Sequence, residues 1–191
     1  MKLSTYELVL CALCTAVMCV IAPVSIPLAG GIPISLATFV VMLSGILFGG
    51  KSSALSLITY VLLGSIGLPV FSGWKGGIGI TLGITGGYII GYIFMAFTAG
   101  FLYDCFGRNA SGVRKYAVMF VAMVLSTAVL YTIGTVWFIA QTKMTLAASL
   151  AACVIPFLPG DLLKIVAVML VAVPIEVALK RATPASRGAV S

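Results

Sequence analysis

The chain contains no histidine, and among its 191 residues only Glu7, Asp104, Asp161 and Glu176 are acidic. Acid–base catalysis and metal ligation draw on His, Asp, Glu and Cys, so this scarcity leaves little material for either. Charge of any sign is rare: charged residues make up 8% of the sequence, against about 25% in a soluble domain. A soluble globular fold is excluded. The five cysteines are odd in number and four lie in apolar runs, which argues against a disulfide framework. Cys11 and Cys14 form a C-x-x-C without a second pair, so they read as small apolar residues, like Cys19. The net charge of +7 does not point to nucleic acid, because the basic residues are scattered between apolar stretches and form no patch.

What is present is hydrophobic sequence, at 62% of residues. No Asp, Glu, Lys or Arg occurs from Leu8 to Gly50, from Gly76 to Tyr103, or from Tyr116 to Thr142. Each run exceeds the ~20 apolar residues that cross a bilayer core of ~30 Å. The pattern predicts an all-α membrane protein, one domain over residues 1–191, with six spans near 6–22, 34–48, 52–66, 86–103, 116–140 and 160–179. Pro23, Pro27, Gly30, Gly31 and Pro33 break the chain into an irregular loop after the first span. Thr145 to Cys153 reads as a short helical lead-in, which Pro156 and Pro159 interrupt before the last span.

Basic residues orient the chain. With a cytoplasmic N-terminus, the inner segments hold Lys2, Lys51, Arg108, Arg114, Lys115, Lys180, Arg181 and Arg187, and the outer ones only Lys75 and Lys143. This is a positive-inside bias with both termini cytoplasmic. The outer connections 23–33, 67–85 and 141–159 are long, apolar and rich in Pro and Gly. Irregular apolar backbone needs protein or water around it, so a lidded outer cavity is expected.

Gly45 to Ser52 spells G-x-x-x-x-G-K-S, the letters of a phosphate-binding loop. That loop must follow a buried strand, whereas here it follows a membrane helix, so it reads as a turn between two spans. The glycines Gly73, Gly76, Gly77, Gly79, Gly83, Gly86, Gly87 and Gly91 cluster in one stretch. The spacing of Gly83, Gly87 and Gly91 allows close helix contact. Around Ser72, Trp74 and Lys75, glycine lets main-chain groups approach a ligand. Asp161 and Lys164 lie three apart at the start of the last span and share a helix face. Ionisable residues in a membrane segment point by default to function. Here they offer a carboxylate acceptor and an ammonium donor to the cavity, beside the simpler reading of an ion pair that anchors the helix end. Ala12 and Ala16 leave a smooth stripe on the first helix, suited to close packing within the chain or against a partner.

Three segments together resemble the BioY family, the biotin-binding S components of energy-coupling factor (ECF) transporters. They are Gly67-Leu-Pro-Val-Phe-Ser-Gly-Trp-Lys-Gly-Gly77, Gly83-Ile-Thr-Gly-Gly-Tyr88 and Pro156-Phe-Leu-Pro-Gly-Asp-Leu-Leu-Lys164. The resemblance implies a six-helix vitamin-capture subunit in the cell membrane, without catalysis, cofactor or metal. Its partners would be biotin, a transmembrane T component that docks on the Ala12/Ala16 stripe, and two ATPase subunits. The implied ligand-facing residues are Phe71, Trp74, Lys75, Gly76, Gly77, Thr85, Gly86, Gly87, Tyr88, Asp161 and Lys164. Phe71, Trp74 and Tyr88 would form walls, and Lys75 would meet the ligand carboxylate. Two positions depart from the family pattern, Ile84 where proline is frequent and Ala37 where glutamine is frequent. An S component for another vitamin, a channel and an integral-membrane enzyme are the alternatives. The last lacks its histidines and clustered carboxylates, and the channel lacks a polar-lined pore.

Overall fold

The computed structural model describes residues 5–26 and 34–182. The chain is built from helices: α1 (Thr5–Ile21), α2 (Ala37–Phe48), α3 (Gly50–Ser65), α4 (Ile78–Thr81), α5 (Gly86–Phe106), α6 (Gly112–Thr142), α7 (Leu146–Cys153) and α8 (Leu158–Ala182). Extended backbone is confined, among the described residues, to β1 (Ser25–Ile26) paired antiparallel with β2 (Ile34–Ser35), and to a bridge between Phe71 and Lys75. The prolines and glycines at 27–33 lie outside the described residues, so the expected loop is seen here only at its two ends.

Three helices are long and apolar enough to cross a membrane: Gly86–Phe106, Gly112–Thr142 and Leu158–Leu179. They mark the chain as a multi-pass membrane protein. The apolar helices Glu7–Ile21 and Ala37–Phe48 are shorter. At 1.5 Å per residue α2 reaches only about 18 Å. The expectation of six spans thus meets three of clear spanning length. The uncharged run from Leu8 to Gly50 divides between α1 and α2, at bounds close to the expected 6–22 and 34–48, and both helices are shorter than the three long ones.

Helix ends follow local chemistry. Gly49, at φ 82°, turns the chain between α2 and α3, and the Gly50 N–H donates to Asp104 Oδ2 at 3.3 Å. The segment with phosphate-loop letters is thus a helix–turn–helix whose terminal N–H already meets an anion of the chain itself. Thr145 caps α7, its hydroxyl accepting from Ala148 N–H at 3.4 Å. Pro159 sits in the first turn of α8, where a missing N–H is tolerated, while Pro174 lies inside the helix and removes a bond to the Leu170 carbonyl.

The core forms where α5 packs on α6, α2 and α3. A side chain on Gly87 would fall 2.3 Å from Trp137 Cβ, one on Gly91 2.8 Å from Leu130 Cδ1, and one on Gly100 2.3 Å from the Gly50 nitrogen. These glycines let helix backbones touch. α1 packs on α3 and α2, and α8 lies against α2 and α6.

Candidate functional site

One end of the bundle encloses a cavity of about 130 Å³ between α2, α3, α5, α6, α8 and the 67–85 segment. Its floor is polar. Lys164 Nζ donates to the Ser35 carbonyl at 2.7 Å, to Thr38 Oγ1 at 2.9 Å and to Asp161 Oδ1 at 3.0 Å. Thr38 donates in turn to Asp161 Oδ1 at 3.2 Å, and the Tyr131 hydroxyl donates to Asp161 Oδ2. Asp161 is 5% exposed. A carboxylate so buried is stable only when paired and hydrogen-bonded, and this one receives a lysine and two hydroxyls. Asp161 and Lys164 share a face of α8 because they stand three residues apart, and the start of α2 brings Ser35 and Thr38 to them.

The walls are apolar and aromatic. Phe71 folds over Gly64, where a side chain would lie 2.1 Å from its ring, and meets Tyr60 edge-on with centroids 5.6 Å apart. Tyr60 donates to the Val70 carbonyl at 3.0 Å. Tyr88 rests its ring on Gly134, and its hydroxyl lies 3.4 Å from both Thr135 Oγ1 and the Cys153 carbonyl. The covering segment is tied down at several points. Gly73 N–H donates to Pro23 O at 3.0 Å, Gly77 N–H to Gly64 O at 2.7 Å, and Trp137 Nε1 to Gly83 O at 2.9 Å. Burial pushes the Cys153 thiol above its ordinary pKa.

Of the residues expected to face a ligand, Phe71, Lys75, Thr85, Tyr88, Asp161 and Lys164 line the cavity. Trp74, Gly76, Gly77, Gly86 and Gly87 do not. Trp74 adopts φ 60° and leaves its side chain 64% exposed, outside the wall it was expected to form. The glycines serve the chain's own packing: a side chain on Gly76 would meet the Leu68 carbonyl at 2.2 Å, and one on Gly86 the Thr81 carbonyl at 1.9 Å. Gly77 takes a left-handed φ of 102°. Sequence reasoning missed Ser35, Thr38, Tyr60, Tyr92 and Tyr131, all of which line the cavity. A signal existed: four of the seven tyrosines lie here, and Tyr92 follows Tyr88 by one helical turn. Of the two departures, Ala37 is fully buried between the lining residues Ser35 and Thr38, and Ile84 is 46% exposed. Ala12 and Ala16 are exposed along α1, while Cys11, Cys14, Thr15 and Met18 face inward.

A profile of the BioY family, matched against the sequence, covers residues 1–181. The chain belongs to the BioY family. Among curated BioY proteins it is 34% identical over 170 residues to the biotin transporter BioY of Thermotoga maritima, spanning 89% of this chain and 95% of that one. It is also 34% identical over 166 residues to the probable biotin transporter BioY of Pyrococcus horikoshii, spanning 87% and 93%. The fold matches the 2.1 Å crystal structure of the S component for biotin from an ECF-type ABC transporter. The TM-score is 0.81 at 26% identity, over 90% of this chain and 93% of that one. The BioY match and the cavity reinforce each other, since the Pro156–Lys164 segment that carries the resemblance also supplies Asp161 and Lys164 to the floor.

Proposed function

We propose that this BioY-family chain is a biotin-capturing S component, a single membrane domain that binds biotin and moves it inward with a T component and two ATPase subunits. The observation that carries the reading is the buried Asp161–Lys164 pair on the floor of an aromatic cavity in a BioY chain. A pocket that is mostly apolar with a few placed polar groups suits a ligand with one polar ring and an aliphatic tail. Biotin's ureido ring brings N–H donors, and Asp161 is the acceptor for one of them, held in place by Lys164 and Tyr131. Lys75, on the covering segment, suits the valerate carboxylate. The chain is a binder and carrier, not an enzyme.

The basic residues favour cytoplasmic termini and an outward-facing cavity, with six passes of which three are of full length. The exposed Ala12/Ala16 face of α1 is offered as the docking surface for the T component.

Equilibrium binding of labelled biotin to the purified, detergent-solubilised chain tests the reading, with riboflavin and thiamine as competitors. Tight binding that neither competitor displaces is expected, weakened at least tenfold (about 1.4 kcal/mol) by Asp161→Asn and by Lys164→Ala. A folded sample that ignores biotin and binds another vitamin would overturn it.

A further inference from the structure

The donors and acceptors around the cavity can be matched one by one, and among its tyrosines they leave one hydroxyl spare. An ammonium group has three N–H donors and no acceptor. All three on Lys164 are taken, by Ser35 O, Thr38 Oγ1 and Asp161 Oδ1. Lys164 therefore holds Asp161 in place and has no hydrogen left for a ligand carbonyl. Asp161 keeps room for one more donor, because Oδ2 receives only Tyr131 and a carboxylate oxygen accepts two hydrogen bonds. A urea presents its carbonyl next to its N–H groups. A ring that donates to Asp161 thus needs a hydrogen-bond donor close by, and it cannot be Lys164.

The tyrosines of the wall supply the answer. Tyr60 donates to Val70 O, Tyr88 to Cys153 O and Tyr131 to Asp161. Tyr92 also lines the cavity, yet among the described residues its hydroxyl makes no hydrogen bond. Its height is fixed by the pairing of α5 with α6. Tyr88 lies against Gly134 and Thr135, and Gly91 lies against Leu130. One residue further along α5, Tyr92 stands level with Tyr131, whose hydroxyl is on Asp161. Among the described residues the side chains of Thr85 and Lys75 also make no hydrogen bond, but both stand nearer the covering segment, at the start of α5 and on the loop. They suit the other end of a ligand. A phenol held in an aromatic wall beside an acceptor-rich floor, with no acceptor of its own, is completed by a ligand oxygen.

We propose that Tyr92 donates the hydrogen bond to the ureido carbonyl oxygen of the ligand, a role that rests on the biotin reading above. Tyr92→Phe removes one oxygen and no packing volume, so the fold is retained. The variant is expected to bind biotin at least tenfold more weakly (about 1.4 kcal/mol) at unchanged thermal stability. The loss is expected to be the same for biotin methyl ester, whose carboxylate is blocked. With biotin carrying 13C at the ureido carbonyl, the infrared carbonyl band of the saturated complex is expected to shift to higher frequency in Tyr92→Phe, because a donated hydrogen bond lowers it. Unchanged affinity, an unmoved band, or a loss that vanishes with the methyl ester would overturn the assignment while leaving the biotin reading intact. Failure of the unaltered chain to bind biotin would overturn both.

Discussion

Helix α8 carries two buried carboxylates, Asp161 near its start and Glu176 towards its other end, about 22 Å apart along the helix. Each sits with a lysine and a tyrosine. Asp161 meets Lys164 at 3.0 Å and the Tyr131 hydroxyl; Glu176 meets Lys115 at 2.7 Å and the Tyr103 hydroxyl at 2.9 Å. The two clusters are alike in chemistry and burial, and they differ in what lies beside them. Asp161 borders the cavity and Glu176 does not. Charge buried in a membrane helix therefore marks a place where polar groups converge. An adjoining cavity is what makes one such place a candidate binding site and leaves the other a fastening.

This comparison can be broken or sharpened by substitution. The largest effect on affinity belongs to Asp161→Asn, which strips the acceptor proposed for the ligand and leaves Lys164 without its counter-charge. Biotin affinity should fall a hundredfold or more (about 2.7 kcal/mol), measured by equilibrium binding. Lys115→Met does the corresponding damage at the other end. It should lower stability by about 3 kcal/mol in a denaturation experiment, while the folded fraction binds biotin within twofold of the parent. A large affinity loss there would show that the two ends are coupled and erase the distinction. Tyr131→Phe takes one hydrogen bond from Asp161 and keeps the ion pair, so a roughly fivefold loss of affinity, about 1 kcal/mol, is expected. The smallest effect is expected from Arg108→Gln. Its pair with Asp104 is about a third exposed on both sides, and such pairs contribute well under 1 kcal/mol. A melting temperature that moves by several degrees would contradict this.

The helices were legible because missing charge is a long-range signal that tolerates errors of a few residues at each end. Asp161 and Lys164 were legible for the converse reason, as charges inside an apolar segment. Glu176 passes the same test and was not singled out, since nothing in a linear sequence reveals which buried acid adjoins a cavity. The glycines illustrate a deeper ambiguity. A missing Cβ serves a ligand's approach and a neighbouring backbone's approach equally well, and at Gly76, Gly86 and Gly87 the neighbour is the chain itself. Thr38, Tyr92 and Tyr131 each place a single hydroxyl in an apolar helix, a pattern that ordinary membrane helices share. Their meeting depends on the rotation of α2, α5 and α6 about their axes, which composition does not encode.

Pro174 separates the two polar clusters of α8. Without an N–H at that position the Leu170 carbonyl loses its helical partner, so the rod has a soft joint closer to Glu176 than to Asp161. A rod with such a joint transmits torque poorly.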